Sequence, residues 1–109
     1  MTNLRELADA ALDSASAHAF IPESKHGGPF LVSVDGIILG RLARANVRGI
    51  PGTGDRMYDS FDMTGQQIGC ASGLCAAAST IDVELRRRRA NGDDWLAGIR
   101  KFETDENGA

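Results

Sequence analysis

Residues 64–85 read TGQQIGCASGLCAAASTIDVEL, and this stretch decides the fold that the sequence predicts. Its glycines, Gly65, Gly69 and Gly73, recur at every fourth residue. A helical turn takes about 3.6 residues, so a helix would place all three glycines on one face. Each glycine costs about 0.8–1 kcal/mol relative to alanine inside a helix, and the repeat therefore indicates close approach of another backbone. We expect one helix from about residue 64 to 89.

The opposite face of this predicted helix is apolar. Its members recur at helical spacing: Cys70, Leu74, Ala77, Ala78, Ile81 and Leu85. Such a stripe is typical of a helix that packs on a core. We expect it to pack on a neighbouring hairpin through Val32 or Val34 and Ile38.

The glycine face is the predicted interface. Small side chains continue this face beyond the glycines. A domain of this size forms a single hydrophobic core. Because the apolar face already uses that core, the glycine face is expected to meet another helix, from a second copy or from the first helix. The predicted interface residues are Gly65, Gly69, Ser72, Gly73 and Ala76.

Length, charge and composition limit the function classes. The 109 residues predict a single domain, with a polar tail at residues 103–109. The net charge of −3 and the pI near 5.2 argue against nucleic-acid binding. The sequence lacks both a long apolar run typical of a membrane span and the basic start of a secretory signal. Two cysteines in such a chain are typical of reduced thiols, so we expect a cytoplasmic protein.

A first helix is predicted near the N-terminus. Asn3, with Glu6 three residues later, forms a capping-box pattern. Apolar residues then follow helical spacing, which favours a helix over residues 4–19. The Ile21-Pro22 pair is expected to end it, because the residue before a proline avoids the helical region.

A β-hairpin follows. Residues 30–34, FLVSV, are typical of a strand, and Asp35-Gly36 is a preferred pair for a two-residue type I′ turn. The return strand is expected to run from residue 37 to 47, with Gly40 as a weak point or bulge.

These elements predict a small α/β (α+β) domain. Its expected order is helix, β-hairpin, long helix and a short terminal strand or helix at residues 95–103, with Asn91-Gly92 stopping the long helix.

Between the hairpin and the long helix, residues 48–62 are predicted to be a long surface loop. Long loops in compact domains are often functional, and arginine and aromatic side chains are common at binding hot spots. We therefore expect Arg56, Tyr58 and Phe61 to form a partner-binding surface.

The thiols and imidazoles give weak chemical signals. On one helix, Cys70 and Cys75 would lie about 140° apart, so they could neither form a disulfide nor share a metal. Cys70 is interpreted as a core residue, and Cys75 as the possible reactive thiol. His18 and His26 are interpreted as exposed. The sequence predicts no catalytic group, metal site or cofactor.

Residues 86–89 are four consecutive arginines. On a helix they point around the whole circumference, complement the negative end of the helix dipole, and can pair with Glu84, Asp82 or Asp93. A docking surface for an acidic partner is the alternative interpretation.

The order of elements resembles the roadblock/LC7 family. The resemblance rests on the opening helix, the FLVSVDGIILG hairpin at residues 30–40 and the alanine-rich ASGLCAAAS segment at residues 71–79. It implies a homodimer that scaffolds or regulates small GTPases and motors. Two departures are a longer loop at residues 48–62 and few residues for the strands expected near the C-terminus.

Residues 7–25 and 34–46 also look like the opening of cytidine deaminases. That family needs a glutamate after its first zinc ligand and a downstream Pro-Cys-x-x-Cys motif. Here Cys75 is followed by Ala76 and Ala77, and the second motif is missing from the sequence. The resemblance therefore implies at most an inactive relative.

The function expected from the sequence is a non-enzymatic protein–protein interaction or regulatory module that forms a homodimer through the glycine face. Two alternatives stay open. One is a small accessory or inhibitor protein, for instance phage-borne, that acts by surface complementarity. The other is a small cysteine-dependent enzyme or redox protein that uses Cys75.

Overall fold

A computed structural model describes residues 3–14, 16–23, 29–45 and 57–102 of the chain. These ranges form a mixed α+β domain, which confirms the predicted fold class. The two helices are α1 (Leu4–Asp13) and α2 (Leu74–Asn91). The six strands are β1 (Ala19–Pro22), β2 (Phe30–Val34), β3 (Ile37–Arg44), β4 (Met57–Phe61), β5 (Gln67–Ser72) and β6 (Arg100–Lys101).

All six strands belong to one antiparallel sheet. The first five lie side by side in chain order, β1-β2-β3-β4-β5. The short strand β6 pairs with the beginning of β3, while β4 pairs with its second half. Among the described strands, β1 and β5 therefore lie at the two ends of this order, and β6 has β3 as its single neighbour.

The predicted hairpin is confirmed. Asp35 and Gly36 both have positive φ, 52° and 82°, as a type I′ turn requires. Val34 pairs with Ile37 directly across the turn, and the register shifts next to the pair formed by Val32 and Gly40. The sequence had indicated an irregularity at this glycine.

The first helix begins where predicted but ends earlier. Asn3 caps it by accepting a hydrogen bond from the Glu6 N–H at 2.9 Å. The helix ends at Asp13, because Ser14 leaves the helical conformation and its hydroxyl accepts from the Ser16 N–H at 3.0 Å. The predicted continuation to residue 19 is therefore wrong, and strand β1 follows instead, paired with β2.

The predicted helix from residue 64 to 89 is also wrong at its beginning. Residues 67–72 form β5, and the helix starts at Leu74. Gly65 and Gly73 adopt positive φ, 94° and 86°, in the turns before β5 and α2. Gly69 lies inside β5. Each glycine thus meets a separate requirement of its own position in the fold. Their regular spacing does not create a helix face.

Strand β4 was not predicted. The prediction of a loop over residues 48–62 is wrong at its end, because Met57–Phe61 pairs with β3 on one side and β5 on the other. Tyr58 and Phe61 are therefore strand residues, whereas Arg56 lies outside the described residues. The strand escaped prediction because Asp59 and Ser60 interrupt its apolar pattern. Ser60 is nevertheless fully buried and donates to the Ala77 carbonyl oxygen at 2.9 Å.

The core lies between the sheet and the two helices. The predicted apolar face of α2 is confirmed over the helical part, since Ala77, Ala78, Ile81 and Leu85 are buried. They pack in one cluster with buried residues of α1 and the sheet: Ala8, Ala11, Leu12, Val32, Val34, Ile37, Leu39 and Leu42. Trp95 and Ile99, which follow α2, complete the cluster.

Two strand glycines leave room for side chains of α2 against the sheet. A Cβ atom added at Gly40 would lie 2.8 Å from Ile81 Cδ1, and one added at Gly69 would lie 2.7 Å from Thr80 Oγ1. Real Cβ atoms essentially never make contacts shorter than about 3 Å. The missing side chains at both positions therefore set the distance between the helix and the sheet.

The end of α2 follows the sequence prediction. Gly92 takes the left-handed conformation, with φ of 76°, and its N–H donates to the Arg89 carbonyl at 3.2 Å. The chain then returns to the sheet, where the terminal element is the two-residue strand β6. Within the described residues, no helix is both long and apolar enough to cross a membrane.

The close approach at Gly69 can be tested by substitution. We expect Gly69→Ala to lower the free energy of unfolding by about 1–3 kcal/mol, because the new methyl group overlaps Thr80. In a Thr80→Gly background the same substitution should cost much less, since the contacting side-chain atoms of Thr80 are gone. Denaturant unfolding of the four variants measures this coupling. An equal cost in both backgrounds would refute the contact.

Candidate interaction site at the β5 edge

The outer edge of β5 is the most distinctive surface of the domain. Among the described residues, no strand pairs with this edge. Beside it lies an open groove of about 340 Å³ between β5 and α2. Its lining consists of Ile68, Gly69, Cys70, Ser79, Thr80, Val83 and Glu84.

The strand itself lacks the features that usually protect an edge. Natural edge strands avoid unwanted pairing by being short or by carrying proline or charged residues. Strand β5 has six residues, QIGCAS, and none is charged or a proline. The opposite edge, β1, has four residues, ends in Pro22 and is followed by Glu23. Only β1, of these two strands, is therefore built as a protected edge.

The α2 side of the groove is smooth and carries an apolar residue in solvent. Ala76, Ser79 and Val83 follow one another at helical spacing, and all three are exposed. Val83 is 65 % exposed. The side of α2 next to β5 thus carries small side chains and the exposed side chain of Val83.

The charges at the border of the groove neutralise each other. The Arg87 guanidinium donates twice to the Glu84 carboxylate, at 2.9 and 2.7 Å. Arg88 donates to the same carboxylate at 2.9 Å. The hydrogen bond from Arg87 is the main cause that lowers the pKa of Glu84 to about 2. The ion pair therefore persists at every ordinary pH.

Cys70 lies on the exposed strand and not in the core, so its predicted core location is wrong. Local burial and a hydrogen bond with the Asp59 carboxylate raise the pKa of its thiol. A raised pKa keeps the sulfur protonated and makes it a poor nucleophile. Cys70 is thus a neutral part of the β5 surface.

The predicted interface residues do not form one face. Gly65 and Gly73 lie at turns, and Gly69 and Ser72 lie in β5. Ala76 is exposed on α2. The structure does bring Gly69 to the groove, because β5 packs beside α2. Val83 and Ile68 complete the site but were absent from the predicted set. Their signal in the sequence was the uncharged stretch QIGCAS and a valine within a polar part of the helix.

The predicted loop surface is divided by the structure. Tyr58 is half-buried, packs against the core cluster and contacts the Phe30 ring edge-to-face at a centroid distance of 6.5 Å. Phe61 pairs with Arg41 and Gln67 of the adjacent strands. These two aromatic residues therefore belong to the sheet and not to a loop.

The second cysteine, Cys75, is exposed in the first turn of α2. Within the part of the chain that the structure describes, its thiol makes no hydrogen bond. The same ranges contain no cluster of three or more His, Cys, Asp or Glu residues that could hold a metal ion.

His18 is half-buried instead of exposed. Its Nε2 atom lies 2.7 Å from Oδ2 of Asp82 on α2. Its ring also lies near Phe20, with a centroid distance of 6.4 Å. The other carboxylate oxygen of Asp82 is buried and has no hydrogen-bond partner among the described residues. This pair fastens the segment before β1 to α2. His26 lies outside the described residues.

The arginine run is used inside the domain. Arg86 donates to the Leu12 carbonyl at 2.7 Å, at the end of α1. Arg89 reaches two carboxylates of α1, Asp9 at 3.2 Å and Asp13 at 2.7 Å. It also lies over the Trp95 ring, 5.7 Å from its centroid. These arginines therefore clamp α1 to α2, which weighs against a docking surface for an acidic partner.

Arg88 connects α2 to the turn between β4 and β5. It donates to Oδ2 of Asp62 at 3.0 Å, and Asp62 is only 3 % exposed. The other oxygen of Asp62 accepts from the N–H groups of Thr64 and Gln66 and from the Thr64 hydroxyl. Burial alone would raise the pKa of the Asp62 carboxyl. The hydrogen bonds from Thr64 and Arg88 outweigh burial, so the pKa lies below its ordinary value. Asp62 thus caps this turn.

Comparison with known proteins gave no relative: no family model, curated protein or solved structure matches this chain.

The buried bridge can be compared with an exposed one on the same helix. We expect Arg88→Ala to lower the free energy of unfolding by about 3 kcal/mol, because it leaves the buried Asp62 charge without its partner. Arg87→Ala should cost less than about 1 kcal/mol, since that side chain is 54 % exposed. Denaturant unfolding of both variants checks the difference. Equal costs would contradict the assigned role of Arg88.

The carboxylate bridges also predict loss of stability in acid. Ion pairing lowers the pKa of Glu84 to about 2 from an ordinary 4.5, so its contribution is complete above the ordinary value and is lost as the pH falls toward 2. Glu84→Gln should therefore show a smaller drop in melting temperature between about pH 6 and about pH 3 than the wild type. Glu6→Gln, at an exposed position on α1, serves as the control. Identical pH dependence in all three proteins would refute this account.

Proposed function

We propose that this protein is a non-enzymatic protein–protein interaction module that forms a homodimer through the outer edge of β5. The observation that carries the proposal is the six-residue uncharged edge without a proline, next to the open groove between β5 and α2. An edge of this kind presents backbone N–H and C=O groups that another strand can pair. The partner is then a protein, and strand addition is the mode of recognition.

Self-association is favoured by the charges. The chain has a net charge of −3, so two copies repel each other where their surfaces are acidic. The β5 edge avoids this repulsion because the strand is neutral and the nearby Glu84 is paired with Arg87. An antiparallel pair of β5 strands can therefore form without placing like charges opposite each other.

The other chemical groups support an interaction role. Arginines 86–89 are all engaged in contacts within the domain, and the Cys70 thiol is held protonated by its raised pKa. The cytoplasmic location is part of this proposal, and it is consistent with two exposed free cysteines. The roadblock/LC7 resemblance, with its implied homodimer, remains a prediction.

The proposal is tested by adding a charge to each edge of the sheet. Cys70→Lys places a lysine on β5, next to Asp59, and should shift the protein from dimer to monomer in size-exclusion chromatography with light scattering. Ala19→Lys is the matched control, since it adds the same charge at an exposed position of β1. It should remain dimeric. A wild-type protein that is monomeric at about 100 µM, well above the Kd of an ordinary stable dimer, would overturn the proposal. So would a Cys70→Lys variant that dimerises as strongly as the wild type.

A further inference from the structure

We propose that His18 and Asp82 form a proton-dependent clasp, which holds the beginning of β1 on the domain while the histidine is charged and loosens it when the histidine is neutral. The two residues are 64 positions apart in the chain, and Nε2 of His18 lies 2.7 Å from Oδ2 of Asp82. His18 directly precedes β1, and Asp82 lies on α2. The pair therefore links this edge strand to the helix by a side-chain contact.

The burial of the pair makes the charge on the histidine important. The side chains of His18 and Asp82 are only 18 % and 16 % exposed. Oδ1 of Asp82 is buried and accepts no hydrogen bond among the described residues. A carboxylate that is removed from water needs a compensating charge, so an imidazolium stabilises Asp82 more than a neutral imidazole does. The clasp is thus strongest when His18 carries its proton.

Histidine is the side chain that ordinarily changes its charge near neutral pH. Strands β1 and β2, which lie on the sheet side of the clasp, carry no titratable side chain. The charged groups between the two helices stay charged in this range, because they are guanidinium groups and the carboxylates paired with them. They are Asp9, Asp13, Arg86 and Arg89. Among these described groups and the clasp itself, His18 alone therefore gains or loses a charge between about pH 6 and about pH 8.

The opposite end of β1 is fixed by a pair that does not respond in this pH range. Arg41 donates to both carboxylate oxygens of Glu23, and both groups keep their charge near neutral pH. Loss of the His18 proton therefore acts on the start of the strand, where residues 19–20 pair with residues 32–33 of β2.

Opening of the start of β1 would uncover the neighbouring part of β2. Strand β2, FLVSV, contains neither a charged residue nor a proline, so it lacks the features that protect an edge. Strand β1, by contrast, ends in Pro22. The clasp thus controls whether β2 is covered by a protected strand or presents its own backbone groups to solvent.

Amide hydrogen exchange of the full chain at about pH 6 and about pH 8 tests the clasp, because it detects local opening even when the open form is rare. Each rate is divided by the intrinsic rate at the same pH. In the wild type we expect the protection of the amides that pair residues 19–20 with residues 32–33 to fall about tenfold at the higher pH, the order of difference between a charge-assisted and an ordinary hydrogen bond. The amides of β3 and β4 should keep their protection.

Two matched variants separate the clasp from other titrating groups. His18→Gln can still donate a hydrogen bond but does not titrate, so its protection at these positions should be the same at both pH values. His26→Asn removes the other histidine of the chain and should retain the pH dependence of the wild type.

Equal wild-type protection of these amides at both pH values would overturn the proposal. So would a His18→Gln variant that loses protection as strongly as the wild type, or a His26→Asn variant that no longer loses it, since another group would then be titrating. Asp82→Asn gives the same comparison from the helix side, and its protection should also be independent of pH. The result therefore does not depend on the folding of a single variant.

Discussion

The close contact of α2 with the sheet is the constraint on which the rest of this structure depends. Gly40 and Gly69 lack the side chains that would push the helix away, so Ile81 and Thr80 lie directly against the strands. This contact closes the core on one face of the sheet. It also fixes where the helix lies relative to β5, and thereby creates the groove that the proposed homodimer uses.

Ion pairs then hold this helix against two other parts of the domain, the helix α1 and the turn between β4 and β5. The Arg89 guanidinium binds α1 through Asp13, and Arg88 binds the β4–β5 turn through the buried Asp62. The same helix therefore has two different sides. The side that carries Arg88 and Arg89 makes ion pairs within the domain. The side next to β5 carries small residues and the exposed Val83. This division supports an interface at β5 more than one at the arginine run.

The sequence predicted the local features well, because neighbouring residues alone determine them. The Asn3 cap, the Asp35-Gly36 turn and the Gly92 stop need no distant partner. Apart from the early end of α1, the errors concern features that depend on distant residues. Gly69 was assigned to a helix because its need for space comes from Thr80, 11 positions later in the chain. Strand β4 was missed because its pairing with β3 and β5, and not its composition, makes it a strand. The candidate site was only partly predicted for the same reason. The sequence indicated the small residues but not their position beside the edge strand β5.

In the proposed homodimer a second copy covers the outer edge of β5. Amide hydrogen exchange of residues 67–72, followed as the protein concentration is raised, measures this directly. We expect the amides facing outward from β5 to exchange fast in dilute protein and to become protected as the dimer forms, while the amides of β1 keep their exchange rates. Exchange rates of β5 that do not change with concentration, in a protein whose mass does rise to that of a dimer, would contradict it.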